Sequence, residues 1–327
     1  METTTSTVFT TNNSTSGHLL SSSWDITYLT RAVVLSLSFL LGFPGNIAVI
    51  LLKPNIQTLS PLSQSLMLNL VVSDLLCVLT LPFWIYELFY SWTLGDVTCK
   101  LVTFLFYLSV FCSLLTVTLL SVQRYLVVVK QQNTLNHFGA KRLLVLLWIA
   151  SLIASIPNGI SQNLTEEEGM TYCILQLSSE VIVIIVLIEE IIVGFMTIFI
   201  LAFSYISLYK KVKRAAFFHN CQTTRLVSSI TASFFVLNFP YHIINILSVT
   251  AVSLHIEGLM EFCKKSRYIF GAIVFFNISL NPLLYAFTSC NFWKCPEKLN
   301  CWARNSARPP PLAVKPARSL QSTSPLR

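Results

Sequence analysis

Long apolar blocks, separated by short polar stretches, dominate the pattern of hydrophobic and polar positions along this chain. Each block is long enough to cross the hydrocarbon core of a bilayer as a helix, which takes about 20 residues. None shows the period-two alternation of a half-buried strand. The pattern therefore predicts an all-α membrane protein, a seven-transmembrane helix bundle. The predicted spans, numbered one to seven, cover roughly residues 32–52, 64–88, 101–129, 143–160, 181–208, 226–254 and 268–288.

The segments that flank the predicted bundle, residues 29–290, are polar. Residues 1–28 are rich in Ser, Thr and Asn, and residues 304–327 are rich in Pro, Ser and basic residues, so both are expected to be disordered. Residues 291–303 predict a short cytoplasmic amphipathic helix on the inner membrane face, although a proline interrupts it. Its apolar side would consist of Phe292, Trp293, Leu299 and Trp302.

Composition and charge agree with this class of protein. The chain of 327 residues is 54% hydrophobic and only 11% charged, less charge than a soluble protein of this length carries. The formal net charge of +8 is unevenly distributed, because all but five of the 22 Lys and Arg residues lie on the inner side if the N-terminus lies outside. Basic residues concentrate in cytoplasmic loops. We therefore expect a multi-pass plasma-membrane protein with an extracellular N-terminus, and no nucleic-acid partner.

Cysteines and sequons on the predicted outer side fit this orientation. Cys99 and Cys173 both lie there, in an oxidising setting, so a disulfide between them is expected. Cys263 is also on the outer side, but the N-terminal segment contains no cysteine to pair with it. The glycosylation acceptors expected outside are Asn12, Asn13 and Asn163.

On the inner side, Cys295 and Cys301 follow span seven and are candidate palmitoylation sites. No His/Cys spacing resembles a metal site.

Several polar side chains fall inside the predicted spans at similar depth, where each is energetically costly. The set is Asn46, Asp74, Ser113, Asn277 and Asn281. One carboxylate with converging amides and a hydroxyl can hold water or a small cation, which we favour. The alternative is that these groups only hydrogen-bond one helix to another.

Arg124 is the charged residue near the inner end of span three. Four apolar residues, 126–129, follow it before Lys130, whereas a simple positive flank more often lies beyond the apolar run. We therefore favour a group that is buried between helices in one state and released in another. A positive flank is the alternative interpretation.

Seven motifs, each in the corresponding span, make nearly the whole chain resemble the rhodopsin-like (class A) G protein-coupled receptors. They are GNIAVI with Asn46, NLVVSDLL with Asp74, Cys99, SVQRY with Arg124, Trp148, FFVLNFP with Phe234 and Pro240, and NPLLY from Asn281 to Tyr285. The resemblance implies that Asp74 and its polar neighbours form a sodium and water site. It also implies a G protein switch made of Arg124, Tyr125, Tyr205 and Tyr285.

Three positions depart from the pattern of that family. Gln123 replaces the usual acid beside Arg124, Asn238 replaces a tryptophan of span six, and Thr197 replaces a proline of span five. The neutral Gln123 predicts a weak restraint on Arg124 and therefore raised basal activity.

Other short stretches suggest the branch of the family. LTLPFWIY is similar to chemoattractant receptors, and FPYHIIN together with Glu189 is similar to the leukotriene B4 receptors. We therefore expect an oxylipin whose carboxylate binds Arg267 and whose hydroxyls bind Glu189, His242 and Asn245. The predicted ligand site is Thr103, Phe106, Tyr107, Glu189, Tyr241, His242, Asn245 and Arg267. Two alternatives are a peptide or chemokine-like ligand and a mere pairing of Glu189 with His242.

The expected partners follow from the resemblance and the tail. Basic inner loops suit an inhibitory-type heterotrimeric G protein, and phosphorylated tail residues would bind arrestin. We expect no cofactor except a possible sodium ion at Asp74. A transporter is a remote alternative, because no inverted repeat is visible. An enzyme is not expected, because no catalytic motif is present.

Overall fold

The computed structural model describes residues 26–52, 60–132, 135, 139–167, 169–175, 180–214 and 221–289. Only the backbone is described for residues 26, 27, 167, 212–214, 221–231, 234 and 284–289. The predictions for the N-terminal segment, the amphipathic helix and the tail therefore concern residues outside the described part of the chain.

The described residues form a bundle of seven long helical spans, which confirms the predicted fold class. Span one is Ile26–Leu52, span two is Pro61–Val78 followed by Leu81–Tyr90, and span three is Asp96–Arg124. Spans four to seven are Ala140–Ile160, Glu180–Arg214, Cys221–Ser253 and Glu257–Ser289.

Counted over the residues whose side chains the structure describes, six of these spans are long and apolar enough to cross a membrane by themselves. Span seven is not in that set, and its first turns carry Glu257, Glu261, Lys264, Lys265 and Arg267. Its helix begins eleven residues before the apolar block predicted from the sequence. Hydropathy marks only the part of a helix that faces lipid, so helical turns beyond the membrane are missed.

Span two bends near its middle. Pro82 lacks a backbone N–H and cannot continue the hydrogen-bond ladder of the preceding helix. The hydroxyl of Thr80 donates to the carbonyl of Cys77 at 2.7 Å, which satisfies an acceptor at the break. The second half of span two therefore begins as a new helix at Leu81, which carries Trp84 and the buried Glu87.

Span three lies against spans two, four and five and forms the main core with them. Polar bonds fix these contacts, because the Trp148 indole donates to Asn69 at 2.9 Å and the Asn69 amide donates to Thr116 at 2.8 Å. Spans one and seven are joined in the same way by the Ser279 hydroxyl, which donates to the Ser38 carbonyl at 2.8 Å. Such bonds hold helices together where lipid offers no partner.

Two antiparallel strands, β1 (Gln162–Glu167) and β2 (Met170–Leu175), form a hairpin between spans four and five. A disulfide joins Cys99 at the start of span three to Cys173 of β2, with Cα atoms 5.6 Å apart. The expected pair of cysteines is thus bonded, but the sequence did not predict the hairpin. We call this side of the bundle the disulfide end and the opposite side the Arg124 end.

Candidate functional site

A cavity of about 760 Å³ lies between the spans and the disulfide hairpin. Its walls are mainly aromatic and aliphatic, as in most pockets for small ligands. Six of the eight residues predicted for the ligand site line it. These are Thr103, Phe106, Tyr107, Tyr241, His242 and Arg267.

The aromatic wall is built by spans two, three and seven. Phe106 stacks on Phe275 with ring centroids 4.6 Å apart and meets Trp84 edge-on at 6.5 Å. Tyr107 packs edge-on against Phe106 at 5.1 Å. The phenol of Tyr107 points to a polar partner from another span, as buried tyrosines usually require.

That partner is Glu190 of span five, a buried carboxylate that three neutral donors hold tightly. The hydroxyls of Tyr107 and Tyr241 donate to it at 2.8 and 2.9 Å, and the amide of Asn245 donates at 2.6 Å. The guanidinium of Arg267 lies farther away, at 3.4 Å from each carboxylate oxygen. It also donates to Asn245 and lies 5.4 Å over the Tyr241 ring.

The prediction of Glu189 as the acid of this site is wrong by one residue. Glu189 accepts a hydrogen bond from Asn158 of span four at 3.2 Å and does not line the cavity. Successive helix residues differ by about 100° in direction. Residues 181–192 are all apolar except for these two acids. The periodicity of the sequence therefore does not indicate which face of the helix points into the bundle. Pairing of Glu189 with His242 is not observed either.

Asn245 and His242 behave differently from each other, although both lie on span six. Asn245 is fully buried behind the cavity wall, where it bonds Glu190 and Arg267. His242 lines the cavity and packs so closely on Gly194 that any side chain there would overlap its ring. The Nδ1 atom of His242 is buried and has no hydrogen-bond partner among the described residues.

Sequence reasoning missed another buried carboxylate, Glu87 of span two, which does not line the cavity itself but contacts a residue that does. Glu87 is 2% exposed, accepts the backbone N–H of Cys173 at 2.7 Å and lies 3.5 Å from Arg31 of span one. Arg31 lines the cavity and stacks over the Tyr268 ring at 4.8 Å. An isolated acid in the apolar stretch PFWIYELFY was the available signal, because intramembrane carboxylates usually have a specific partner.

The polar set around Asp74 lies below this cavity. The hydroxyl of Ser113 and the amide of Asn281 donate to Asp74 at 2.8 and 2.6 Å. Asn46 instead donates to the carbonyl of Gly42 in its own helix at 2.9 Å. The amide oxygens of Asn46 and Asn277 are buried without a hydrogen-bond partner among the described residues. Amide and carboxylate oxygens are the ligand types that a hard cation such as sodium prefers.

The cavity reaches this polar set. Ser113, Asn277 and Asn281 line its floor, together with Asn238. Asn238, which replaces the usual tryptophan of span six, thus lines the same cavity as the aromatic walls and part of the polar set. Thr197, another of the three departures, is buried in span five.

At the Arg124 end, the Nε atom of Arg124 is buried without a hydrogen-bond partner among the described residues. Span three continues there as a π-helical turn, Tyr125–Val129. The Tyr125 ring packs against Phe203 of span five at 5.4 Å, while Tyr205 is exposed. For Tyr285 only the backbone is described. The structure thus brings Tyr125 against span five and leaves Tyr205 exposed.

Gln123 is buried and bonded to span two. Its amide oxygen accepts from the Ser63 hydroxyl and its amide nitrogen donates to the Ser60 hydroxyl, both at 3.1 Å. Ser60 is also the N-cap of span two, where its hydroxyl accepts the N–H of Ser63. We call this set of contacts, made by Ser60, Ser63 and Gln123, the serine–glutamine contact. It holds span three to the beginning of span two.

The remaining predicted sites concern modification. Asn163 lies in β1 at the disulfide end and is half-buried. Asn12, Asn13, Cys295 and Cys301 lie outside the described residues.

Comparison with known proteins assigns most of the chain. The family described as the 7 transmembrane receptor (rhodopsin family) matches residues 45–285. The C-C chemokine receptor type 8 of Macaca mulatta is 28% identical over 279 residues. That similarity covers 81% of this chain and 77% of the relative.

Proposed function

Because this chain belongs to the rhodopsin family of seven-transmembrane receptors, we propose that it detects an extracellular chemoattractant and activates an inhibitory-type G protein. As a member of this family it is a G protein-coupled receptor and not an enzyme. The orientation follows from the charge distribution, with the disulfide end outside. The basic inner loops, which include Lys141, Arg142 and residues 210–214, support the choice of G protein.

We propose that the ligand is a leukotriene B4-like oxylipin bound in the cavity. The observation that carries this choice is the loose pairing of Arg267 with Glu190, at 3.4 Å to each oxygen. A strong charge-assisted N–H···O bond is about 2.7–2.9 Å long. Glu190 obtains its short bonds from neutral donors instead, so Arg267 keeps the capacity to bind a ligand carboxylate. The apolar walls suit the acyl chain.

His242 supports hydroxyl recognition in the same cavity. Its buried Nδ1 has no hydrogen-bond partner among the described residues, and such an unpaired atom costs about 1–3 kcal/mol. A ligand hydroxyl would supply the partner. Asn245 acts behind the wall, since it holds Arg267 and Glu190 in place. Glu189 lies outside the cavity and has no part in this proposal.

A peptide or chemokine-like chemoattractant is the second candidate. It is favoured by the similarity to the C-C chemokine receptor type 8. Such a ligand would place its body on the hairpin and its end in the cavity. Because Arg267 has Glu190 beside it, an acidic or a basic peptide end has a buried counter-charge available.

The deciding experiment is ligand-stimulated GTPγS exchange on the full chain in nanodiscs with its G protein. The agonist panel contains leukotriene B4, its methyl ester and a set of C-C chemokines. We expect leukotriene B4 to activate, the ester to lose about tenfold or more in potency, and Arg267→Gln to abolish that difference. Lys265→Gln is the matched control, because Lys265 is exposed and pairs with Glu261 on the same helix. Activation by chemokines alone would reject the lipid proposal, but the assignment of the chain as a receptor would stand.

The remaining assignments extend this proposal to the inner half of the molecule. Arg124, Tyr125, Tyr205 and Tyr285 form the G protein switch, and the phosphorylated tail binds arrestin. The Asp74 set holds sodium, which the same assay tests when choline replaces sodium in the buffer. Cys295 and Cys301 carry palmitate, and the sequons carry glycans.

A further inference from the structure

The disulfide hairpin has an outer strand edge that is covered by the end of span two. The Trp92 N–H donates to the Thr171 carbonyl, the Thr171 N–H donates to the Ser91 hydroxyl, and the Cys173 N–H donates to Glu87, each at 2.7 Å. An uncovered strand edge would leave these groups unpaired. Glu87 is the one acidic member of this set. It therefore fixes the hairpin beside the disulfide.

The same carboxylate holds a cation on the cavity wall. Its second oxygen lies 3.5 Å from the Arg31 guanidinium, which stacks over the Tyr268 ring at 4.8 Å. Arg31 and Tyr268 both line the cavity. The short hydrogen bond of Glu87 goes to the backbone of Cys173, and its contact with Arg31 is the longer of the two.

Arg31 thus repeats the arrangement of Arg267. Each guanidinium lies over an aromatic ring, beside a buried carboxylate whose short bonds go to other donors. Both cations reach the cavity beside span seven. Arg267 belongs to that span, and Arg31 of span one stacks on the next residue of it, Tyr268. Both cations keep N–H groups that an acidic ligand group can use.

We propose that Arg31 is a second acid-binding subsite of the cavity, and that Glu87 is the positioning residue that holds both Arg31 and the disulfide hairpin. The inference deepens the proposed function, since it assigns a further polar group to the ligand of that cavity. The ligand class is an amphiphile with a second acidic or strongly accepting group, which lies between spans one, two and seven. An acidic group that binds Arg31 competes directly with Glu87.

Two substitutions at Glu87 separate its two contacts. Glu87→Gln keeps an oxygen that accepts the Cys173 N–H but removes the charge that holds Arg31. Glu87→Leu removes both contacts at similar volume. Glu261→Gln is the control, because Glu261 is an exposed acid at the same end and pairs with Lys265.

The test needs no agonist, so its outcome is independent of the oxylipin proposal. Phenylglyoxal modification of Arg31 is followed by mass spectrometry on the purified full chain, and amide hydrogen exchange is followed over residues 170–175. We expect Glu87→Gln to speed Arg31 modification several-fold with hairpin exchange unchanged. In Glu87→Leu, hairpin exchange should also rise, by about tenfold, because a hydrogen bond to a charged group is lost. The control should change neither rate.

Sulfate serves as the acidic probe. Sulfate at about 10 mM is used so that a weak site is occupied. In Glu87→Gln it should slow the modification of Arg31 at least twofold relative to chloride at the same ionic strength. Three results would overturn the proposal: an unchanged Arg31 rate in Glu87→Gln, no protection by sulfate, or unchanged hairpin exchange in Glu87→Leu. If Glu87→Leu does not fold, Glu87→Asp replaces it, because the shorter side chain withdraws from Cys173 while keeping the charge. The Arg31 modification and hairpin exchange rates are measured without agonist, so they do not depend on whether leukotriene B4 activates the receptor.

Discussion

At the scale of single residues, Glu190 shows how one buried carboxylate organises a site. Two tyrosines, an asparagine and an arginine from spans three, six and seven all direct donors to it. A buried charge is tolerated only when it is paired and hydrogen-bonded. The adjacent Glu189 needs a single amide, because it is half-exposed at the side of the bundle.

This difference predicts unequal effects of the same substitution at neighbouring positions. Glu190→Gln leaves the cation of Arg267 buried without a counter-charge, which costs about 3–5 kcal/mol. Glu189→Gln keeps an oxygen for Asn158 and should cost less than about 0.5 kcal/mol. Thermal unfolding of the purified chain measures both. The double variant Glu190→Gln/Arg267→Gln should recover part of the loss, because both charges are gone. Equal effects at 189 and 190 would contradict the assignment.

At the scale of elements, the Arg124 end joins the end of span three to the beginning of span two. The serine–glutamine contact replaces the charged partner that Arg124 has in most of the family, and it acts on span two instead. Arg124 itself has a buried Nε without a hydrogen-bond partner among the described residues. A π-helical turn follows, and such turns are often found at functional sites.

We expect the serine–glutamine contact to restrain the resting arrangement. Gln123→Leu removes two hydrogen bonds, each of about 0.5–1.5 kcal/mol. Ligand-independent GTPγS exchange should therefore rise about three- to tenfold, and Ser63→Ala should raise it less. Gln132→Leu is the control, because Gln132 is exposed beyond the turn. A basal rate that stays at the wild-type value in Gln123→Leu would remove this role from the contact.

At the scale of the whole molecule, span three connects the two ends. Tyr107 lies among the predicted ligand-binding residues, and Arg124 lies 17 residues farther along, which is about 25 Å at 1.5 Å per residue. Val117, the cavity-lining residue of span three nearest to Arg124, is seven residues or about 10 Å away from it along the helix. Ligand and G protein therefore bind at separate sites and influence each other through the arrangement of the spans. The ligand contributes only its difference in affinity between the two arrangements.

This separation predicts that binding and signalling can be uncoupled. Arg124→Ala should abolish agonist-stimulated nucleotide exchange and leave agonist affinity in the absence of G protein within about twofold, because Arg124 is remote from the predicted ligand-binding residues. Radioligand binding and GTPγS exchange on the same membranes measure the two properties. Normal exchange in Arg124→Ala would restore its interpretation as a simple positive flank.

The sequence by itself determined the number and type of the spans. A bilayer requires about 20 apolar residues for each helical span, so the apolar blocks were sufficient. The sequence also predicted that Asp74 lies beside Ser113 and Asn281, because polar side chains at equal depth in a bundle form hydrogen bonds with one another. The cysteine pair followed from the side of the membrane on which both residues lie.

Only the tertiary structure decided which face of each helix points inward. Span five is apolar on every side near Glu189 and Glu190, so nothing in the pattern distinguished the inward acid from the outward one. The same holds for Arg31 and Glu87, which lie 56 positions apart and meet where the second half of span two packs against span one. Their contact with the hairpin depends on a strand edge that the sequence did not predict. Hydrophobicity fixes the depth of a residue in a membrane, whereas packing between helices fixes its direction.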